Sequence, residues 1–390
     1  MNASTVRLLS MLLAALAVPG CLEPPASEDV QQVGGIRFDR FLLLEETSET
    51  SANVSIGDVN ADGHLDIVLI KGRHWPLLDP ILLGDGAGSF RSTKPLSGEA
   101  DRSYSGVLID IDSDGDLDVV VSNDYPDPKL VYANDGTGEF AIRSNFGRPE
   151  WPTRHISVAD LNGDDRPDIV IANRTGGSSG FNYVCFNQGN GQFNADCLGF
   201  SNESATTITP ADFNRDGLPD LAVPHREGGQ SYIYLNDEDS AFTERIPFGP
   251  VDAAIRSAEV SDFNGDGVLD IVVIDVRNGP AVLLGSQDGT FGSPTPLGGS
   301  DPTPYALHVA DLDEDGNADV LVGYVKSKPV VYFGDGEGGF FPVEFGDNEG
   351  VAYGFATGDV NEDGFMDIAM ARSDAPNVLY FGGPAADAGR

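Results

Sequence analysis

A nine-residue stretch recurs seven times along this chain of 390 residues, at steps of 52, 50, 52, 50, 49 and 48. In its clearest form it reads Asp262-Phe263-Asn264-Gly265-Asp266-Gly267-Val268-Leu269-Asp270; the other copies begin at Asp58, Asp110, Asp160, Asp212, Asp311 and Asp359. A fixed period near 50 residues, with strand and turn signals in every unit, is the spacing of propeller blades. The length would otherwise suit two or three ordinary domains; the period favours one array.

Each unit reads alike. A short apolar strand such as residues 106–109 precedes the loop, and a second, such as 119–121 or 271–274, follows it. A polar connector leads to a third strand, as at 81–83 or 330–333, and then to a hairpin turn ending in an aromatic, at 84–90, 134–140 and 334–340. The fourth strand starts at that Phe. The last repeat stops after residues 378–383 without its fourth strand, while Gly34-Gly35-Ile36-Arg37-Phe38 carries the missing pattern near the other end. Residues near 36–42 are therefore expected to supply the outer strand of the final blade and hide two open edges. The expected fold is all-β: a seven-bladed β-propeller of four-stranded antiparallel blades over residues 34–383, followed by a tail at 384–390. An open solenoid of stacked hairpins is the alternative.

Within each loop, carboxylate or amide oxygens stand at positions 1, 3, 5 and 9, an apolar residue at 8, and Gly at 6 in all but one copy. Alternate residues of a tight loop turn their oxygens toward one point, and the Gly supplies the φ > 0 that closes the turn. Carboxylates held so close repel one another, and a hard, oxygen-ligated Ca²⁺ removes that cost.

The combination of this loop, a valine-rich strand and a later Asn/Gly-Asp-Gly-x-Gly-x-Phe turn resembles the FG-GAP/VCBS repeat family. Its members resemble the calcium-bearing blades of the integrin α-subunit propeller and of a fungal propeller lectin. The resemblance covers residues 34–383 and implies up to seven structural Ca²⁺. Its ligands would be Asp58, Asn60, Asp62 and Asp66; Asp110, Asp112, Asp114 and Asp118; Asp160, Asn162, Asp164 and Asp168; and Asp212, Asn214, Asp216 and Asp220. The remaining sets are Asp262, Asn264, Asp266 and Asp270; Asp311, Asp313, Asp315 and Asp319; and Asp359, Asn361, Asp363 and Asp367. Position 7 would add a backbone carbonyl, from His64, Asp116, Arg166, Leu218, Val268, Asn317 and Phe365. Asn at position 3 of five loops lowers the local charge, so the Asp-rich second and sixth are expected to bind most tightly. Asp165 replaces the Gly in the third loop, which is expected to be the most strained.

Formal net charge is −39, from 62 acidic and 23 basic residues. That balance argues against nucleic acid and against an anionic membrane surface as electrostatic partners. Residues 1–20 read as a targeting segment: Arg7, an apolar run too short to span a bilayer, then Val18-Pro19-Gly20-Cys21, which resembles a bacterial lipobox with Cys21 as the lipidated residue. An ordinary cleaved signal is the alternative, since Pro19 is unusual there. Residues 21–33 would tether the domain, and the implied location is the bacterial cell envelope, in the outer membrane or at the surface, with the lipid as the sole membrane contact. In that oxidising setting Cys185 and Cys197, which flank a hairpin turn, are expected to form a disulfide; free thiols or a metal pair are the alternatives.

Loops repeated without a unique acid, base or nucleophile point to structural rather than catalytic metal. A unique site should lie on the opposite face. Six residues before each loop stand Ala52, Tyr104, Arg154, Thr206, Arg256, Tyr305 and Tyr353; just past the second strands stand Lys71, Arg73, Tyr125, Arg174, His225, Arg226, Arg277, Lys326 and Arg372. In so acidic a chain this gathers many of the cations on one rim, with aromatics among them. Such a rim would bind an anionic or carbohydrate ligand, or else offset the acidic loops and fill the channel mouth. Trp75 and Trp151 are contact or packing residues, and His155 and His308 are channel residues rather than bases. The expected role is a surface binding or adhesion module for a protein or carbohydrate; a polysaccharide lyase and a scaffold subunit are the alternatives.

Overall fold

The computed structural model describes residues 35–384 except 177–179 and 238. The chain divides into two units, Met1–Val33 and Gly34–Arg390. The targeting segment, Cys21, the tether and all but the first residue of the tail lie outside the described residues, all of which belong to the second unit.

Seven four-stranded antiparallel sheets succeed one another, each meandering from an inner strand to an outer one. Blade 1 runs Ser51–Gly57, Asp66–Lys71, Pro80–Gly84 and Phe90–Pro95. Blades 2 to 6 repeat that order with inner strands Ser103–Ile109, Thr153–Ala159, Thr209–Ala211, Ile255–Ser261 and Pro304–Ala310. Blade 7 has three strands in sequence, Val351–Gly358, Asp367–Ser373 and Val378–Phe381, and takes its fourth, Arg40–Leu43, from the beginning of the domain. Arg40 pairs with Phe381 and Leu43 with Val378, and Arg37 N–H donates to the Gly383 carbonyl at 2.9 Å. The ring is closed, as the missing outer strand requires, and the open solenoid is excluded.

The second strands explain the apolar runs around each loop. All six residues of Asp66–Lys71 are buried, because a blade is covered on both faces by its neighbours. Alternation then divides the side chains: Ile67 and Leu69 pack toward blade 7 with Ala369 and Leu379, while Val68 and Ile70 pack toward blade 2 with Val119 and Val121. Seven such clusters fill the seven blade interfaces. Among the described residues there is no helix. Cys185 and Cys197 are disulfide-bonded across the third-to-fourth strand turn of blade 3.

Candidate functional site

The seven acidic loops share one geometry. The position 1 carboxylate accepts the backbone N–H of position 6 at 2.7–3.0 Å in every copy. The position 5 carboxylate accepts the N–H of position 7 at 2.8–3.2 Å. Position 6 is left-handed throughout, and Asp165 adopts φ +63° there without changing this pattern. The strain expected of the third loop is thus met by an ordinary Asp conformation. Position 4 is left-handed as well, in residues as different as Ala61 and Arg215, which the sequence pattern does not announce.

Position 9 is a staple. Asp66, Asp118, Asp168, Asp220, Asp270, Asp319 and Asp367 are fully buried. One oxygen of each accepts the N–H of position 2 of its own loop at 2.8–3.1 Å. The other accepts an N–H that closes the third strand, 15 to 19 residues on, at 2.7–2.9 Å. Burial pushes these carboxyls up, Asp118, Asp168 and Asp220 to about 6, Asp319 and Asp367 to about 7.

The loops fit a hard cation best where position 3 is Asp. Carboxylate oxygens of Asp110, Asp112 and Asp118 lie within 4.8 Å of one another, as do those of Asp311, Asp313 and Asp315. Asp112 Oδ1 and Asp313 Oδ1 are buried and lack a hydrogen-bond donor among the described residues, while Asp112 Oδ2 pairs with Arg143. A buried carboxylate oxygen without a donor is costly unless a cation meets it. In three of the Asn-bearing loops the amide instead donates across the loop, Asn60 to Asp62, Asn214 to Asp216 and Asn264 to Asp266, which eases the repulsion internally.

On the opposite face a cavity of about 450 Å³ opens the central channel. All seven strand-head residues line it: Ala52, Tyr104, Arg154, Thr206, Arg256, Tyr305 and Tyr353. In six blades that residue is the extra one of a β-bulge, which throws the register off between its two neighbours. A bulge re-aims a side chain, and here it turns each into the mouth. Arg73 and Arg174 join them from the second-to-third connectors. Arg226 does not line the cavity, yet is close enough to influence Arg256, Tyr305 and Tyr353.

The guanidinium groups lie on rings. Arg256 sits 3.5 Å from the Tyr305 centroid, Arg73 3.9 Å from Tyr353, and Arg154 4.4 Å from Tyr104. Arg154 also pairs with Asp124 at 2.8 Å and Arg174 with Glu227 at 2.9 Å. Arg73, Arg226 and Arg256 pair with no carboxylate among the described residues. Burial pulls Arg256 down to about 10, still cationic at neutral pH. Burial raises Tyr305, but Arg256, the Tyr353 hydroxyl, Arg73 and Arg226 outweigh it and hold the phenol below its ordinary value.

Six stretches, 58–121, 110–171, 160–223, 225–273, 262–322 and 311–370, match the FG-GAP-like repeat. The chain belongs to the FG-GAP-like repeat family. No curated protein sequence matches it significantly. Among solved structures, the BP39L lectin from Burkholderia pseudomallei superposes on this FG-GAP-like propeller with a TM-score of 0.65 at 14% identity, covering 87% of this chain and 97% of the lectin. BBS1N, solved in complex with ARL6DN, superposes with a TM-score of 0.58 at 11% identity, over 89% of this chain and 97% of its own. At such identities the likeness concerns the fold, which is compatible with a binding module.

Other residues of the FG-GAP-like rim fall elsewhere. Arg372 is buried and holds Asp347 at 2.7 Å and the Pro376 carbonyl; Lys71 is buried against Glu45 and Glu49. Arg277 is tied to the Asp252 carbonyl, and neither it nor His225 nor Lys326 lines the cavity. Trp151 stacks on Tyr183 at 3.8 Å, a packing role, whereas Trp75 and Tyr125 are exposed. His155 and His308 line the channel and burial brings both down to about 4, so they are neutral. Sequence reasoning missed His74, which bridges Tyr104 and Asp124, and Glu259. Glu259 is an acid on an inner strand whose enclosure pushes it up to about 8. A lone carboxylate on the wall of a channel was the available signal for it.

Proposed function

We propose that this FG-GAP-like propeller is an exported, lipid-anchored binding module of the bacterial cell surface, stapled by Ca²⁺ in its acidic loops, and that its channel mouth binds an anionic or carbohydrate ligand. One observation carries the ligand reading. In a chain of net charge −39, the buried Arg256 has no carboxylate partner among the described residues, and neither do the half-buried Arg73 and Arg226. An unpaired buried guanidinium is costly, and its retention at an open cavity is accounted for by an anion that arrives from outside. The oxygen-only donor sets and the orphaned Asp112 and Asp313 oxygens support Ca²⁺, which would add rigidity and offset charge when bound. The Val18-Pro19-Gly20-Cys21 motif supports the anchor.

The test is binding of the mature protein to an array of acidic and neutral glycans, alongside the double variant Arg154→Ala, Arg256→Ala. Acid-selective binding lost in the double variant is the expected result; absence of binding, or binding indifferent to the substitutions, removes the reading. A second reading, a polysaccharide lyase, is favoured by Tyr305, whose depressed phenol could serve as the base. Appearance of an unsaturated product on incubation with acidic polysaccharides would distinguish it.

A further inference from the structure

The mouth is polarised around its ring. Blades 3, 4 and 5 contribute Arg154, Thr206 and Arg256, while blades 6, 7 and 2 contribute Tyr305, Tyr353 and Tyr104. A cationic, hydrogen-bonding arc therefore faces an aromatic one, and at blade 1, where the strand head is Ala52, the Arg73 guanidinium lies between the tyrosines, 3.9 Å from the Tyr353 centroid and 5.9 Å from that of Tyr104.

On the cationic arc the hydrogen-bonding capacity is only partly used. Arg256 Nε donates to the Tyr305 carbonyl at 2.6 Å and the ring lies under its plane. That leaves the edge carrying both Nη groups without a protein acceptor among the described residues. Such an edge matches a planar carboxylate bidentately. Lining the same cavity from blade 3 and from the entry to blade 4, His155 and Thr206 each have a buried atom, Nδ1 and Oγ1, with no hydrogen-bond partner among the described residues. The neighbouring hydroxyls differ: Ser157 and Thr209 already donate to carbonyls of the next blade, Ile208 and Ala258. The vacant capacity is thus one fork for a carboxylate plus two single positions suited to hydroxyls, inside a volume typical of small-ligand sites.

Resting on the binding role proposed above, we infer that the mouth receives one sugar-acid residue end-on, its carboxylate on the Arg256 fork, its hydroxyls on Thr206 and His155, and its apolar face toward the arc of tyrosines. A sugar acid carries a carboxylate, several hydroxyls and an apolar face on a single ring. An acidic peptide offers the carboxylate but brings backbone N–H groups, which guanidinium donors cannot satisfy. Inorganic phosphate would engage the arginines but brings no apolar face to the tyrosines.

Titration calorimetry on the full chain, with Ca²⁺ present, separates these cases using glucuronate, glucose, acetate, inorganic phosphate, tetraglutamate and polyglucuronate as probes. Glucuronate is expected to bind at least ten-fold more tightly than glucose, acetate, phosphate or tetraglutamate. Arg256→Gln should weaken glucuronate ten-fold or more, and Thr206→Val several-fold with an unchanged melting temperature, which keeps the test valid should Arg256→Gln fold poorly. Equal affinity for acetate, phosphate or tetraglutamate, or indifference to Thr206→Val, overturns the inference. If polyglucuronate binds and glucuronate does not, the end-on assignment falls while the binding role stands. If no anionic probe binds, both fall.

Discussion

Arg256 and Tyr305, on adjacent blades, hold each other twice: the guanidinium lies 3.5 Å from the ring centroid, and its Nε donates to the Tyr305 carbonyl at 2.6 Å. The platform and the hydrogen bond come from different parts of Tyr305, so substitution can separate them. Tyr305→Ala removes the ring and should cost about 0.5–2 kcal/mol of unfolding free energy through the lost cation–π contact alone, whereas Tyr305→Phe should cost much less. Chemical denaturation of the two variants checks this, and equal losses would contradict it.

The position 9 carboxylates predict a stability effect independent of any metal. Asp118 accepts from Ile111 N–H and Asn134 N–H while fully buried. Asp118→Asn sets an amide N–H₂ against one of those donors and should cost about 1–3 kcal/mol in chelator as well as in Ca²⁺. Asp114→Asn, at an exposed position 5, should show most of its effect only with Ca²⁺ present. Urea titrations in the two conditions distinguish the roles.

Chelation of the protein should lower its melting temperature, and calcium titration should show two tighter sites. Those belong to the second and sixth loops, where Asp112 and Asp313 leave a buried oxygen without a donor among the described residues. Asp112→Asn together with Asp313→Asn should bring both sites down to the affinity of the other five. Calorimetry that finds the double variant unchanged would refute this ranking.

Glu259 gives a pH dependence of known sign. Its carboxyl is raised from 4.5 to about 8 by burial, against which the 2.8 Å bond from Val309 N–H works. The folded state therefore binds a proton more strongly than the unfolded chain, so this group's contribution to stability falls as pH rises from about 4.5 to about 8. Glu259→Gln, which keeps an acceptor for Val309, should remove that decline. Unfolding free energies of both proteins at several pH values in saturating Ca²⁺ provide the comparison.

Reduction of Cys185–Cys197 should destabilise the protein by about 3 kcal/mol through the entropy of the freed loop. The paired variant Cys185→Ser, Cys197→Ser should match the reduced wild type in a denaturation curve.

The ring and the loops were legible because their signals are local: each loop closes on itself within nine residues, as Asp262 and Gly267 do, and the period counts the blades. The mouth was legible in part, since equivalent positions of a repeat occupy equivalent places, and Arg154, Arg256 and the three tyrosines fall together accordingly. The bulges that aim them leave no mark in the pattern, because one extra residue in a strand reads like any other. Arg372 misled because its partner, Asp347, stands in a preceding connector and draws it inward. The second role of Asp118 was hidden for the same kind of reason: the N–H it accepts belongs to Asn134, at the end of the next strand and 16 residues on.

Arg40–Leu43 is made early and Val378–Phe381 late, yet they are hydrogen-bonded neighbours in one sheet. No partly synthesised copy can latch, however many blades it has finished, so assembly waits for almost the whole array and pays the loop-closure entropy at the last step. A truncated chain would present two raw sheet edges instead of a seam, marking it for proteolysis or aggregation before it could compete with the finished molecule.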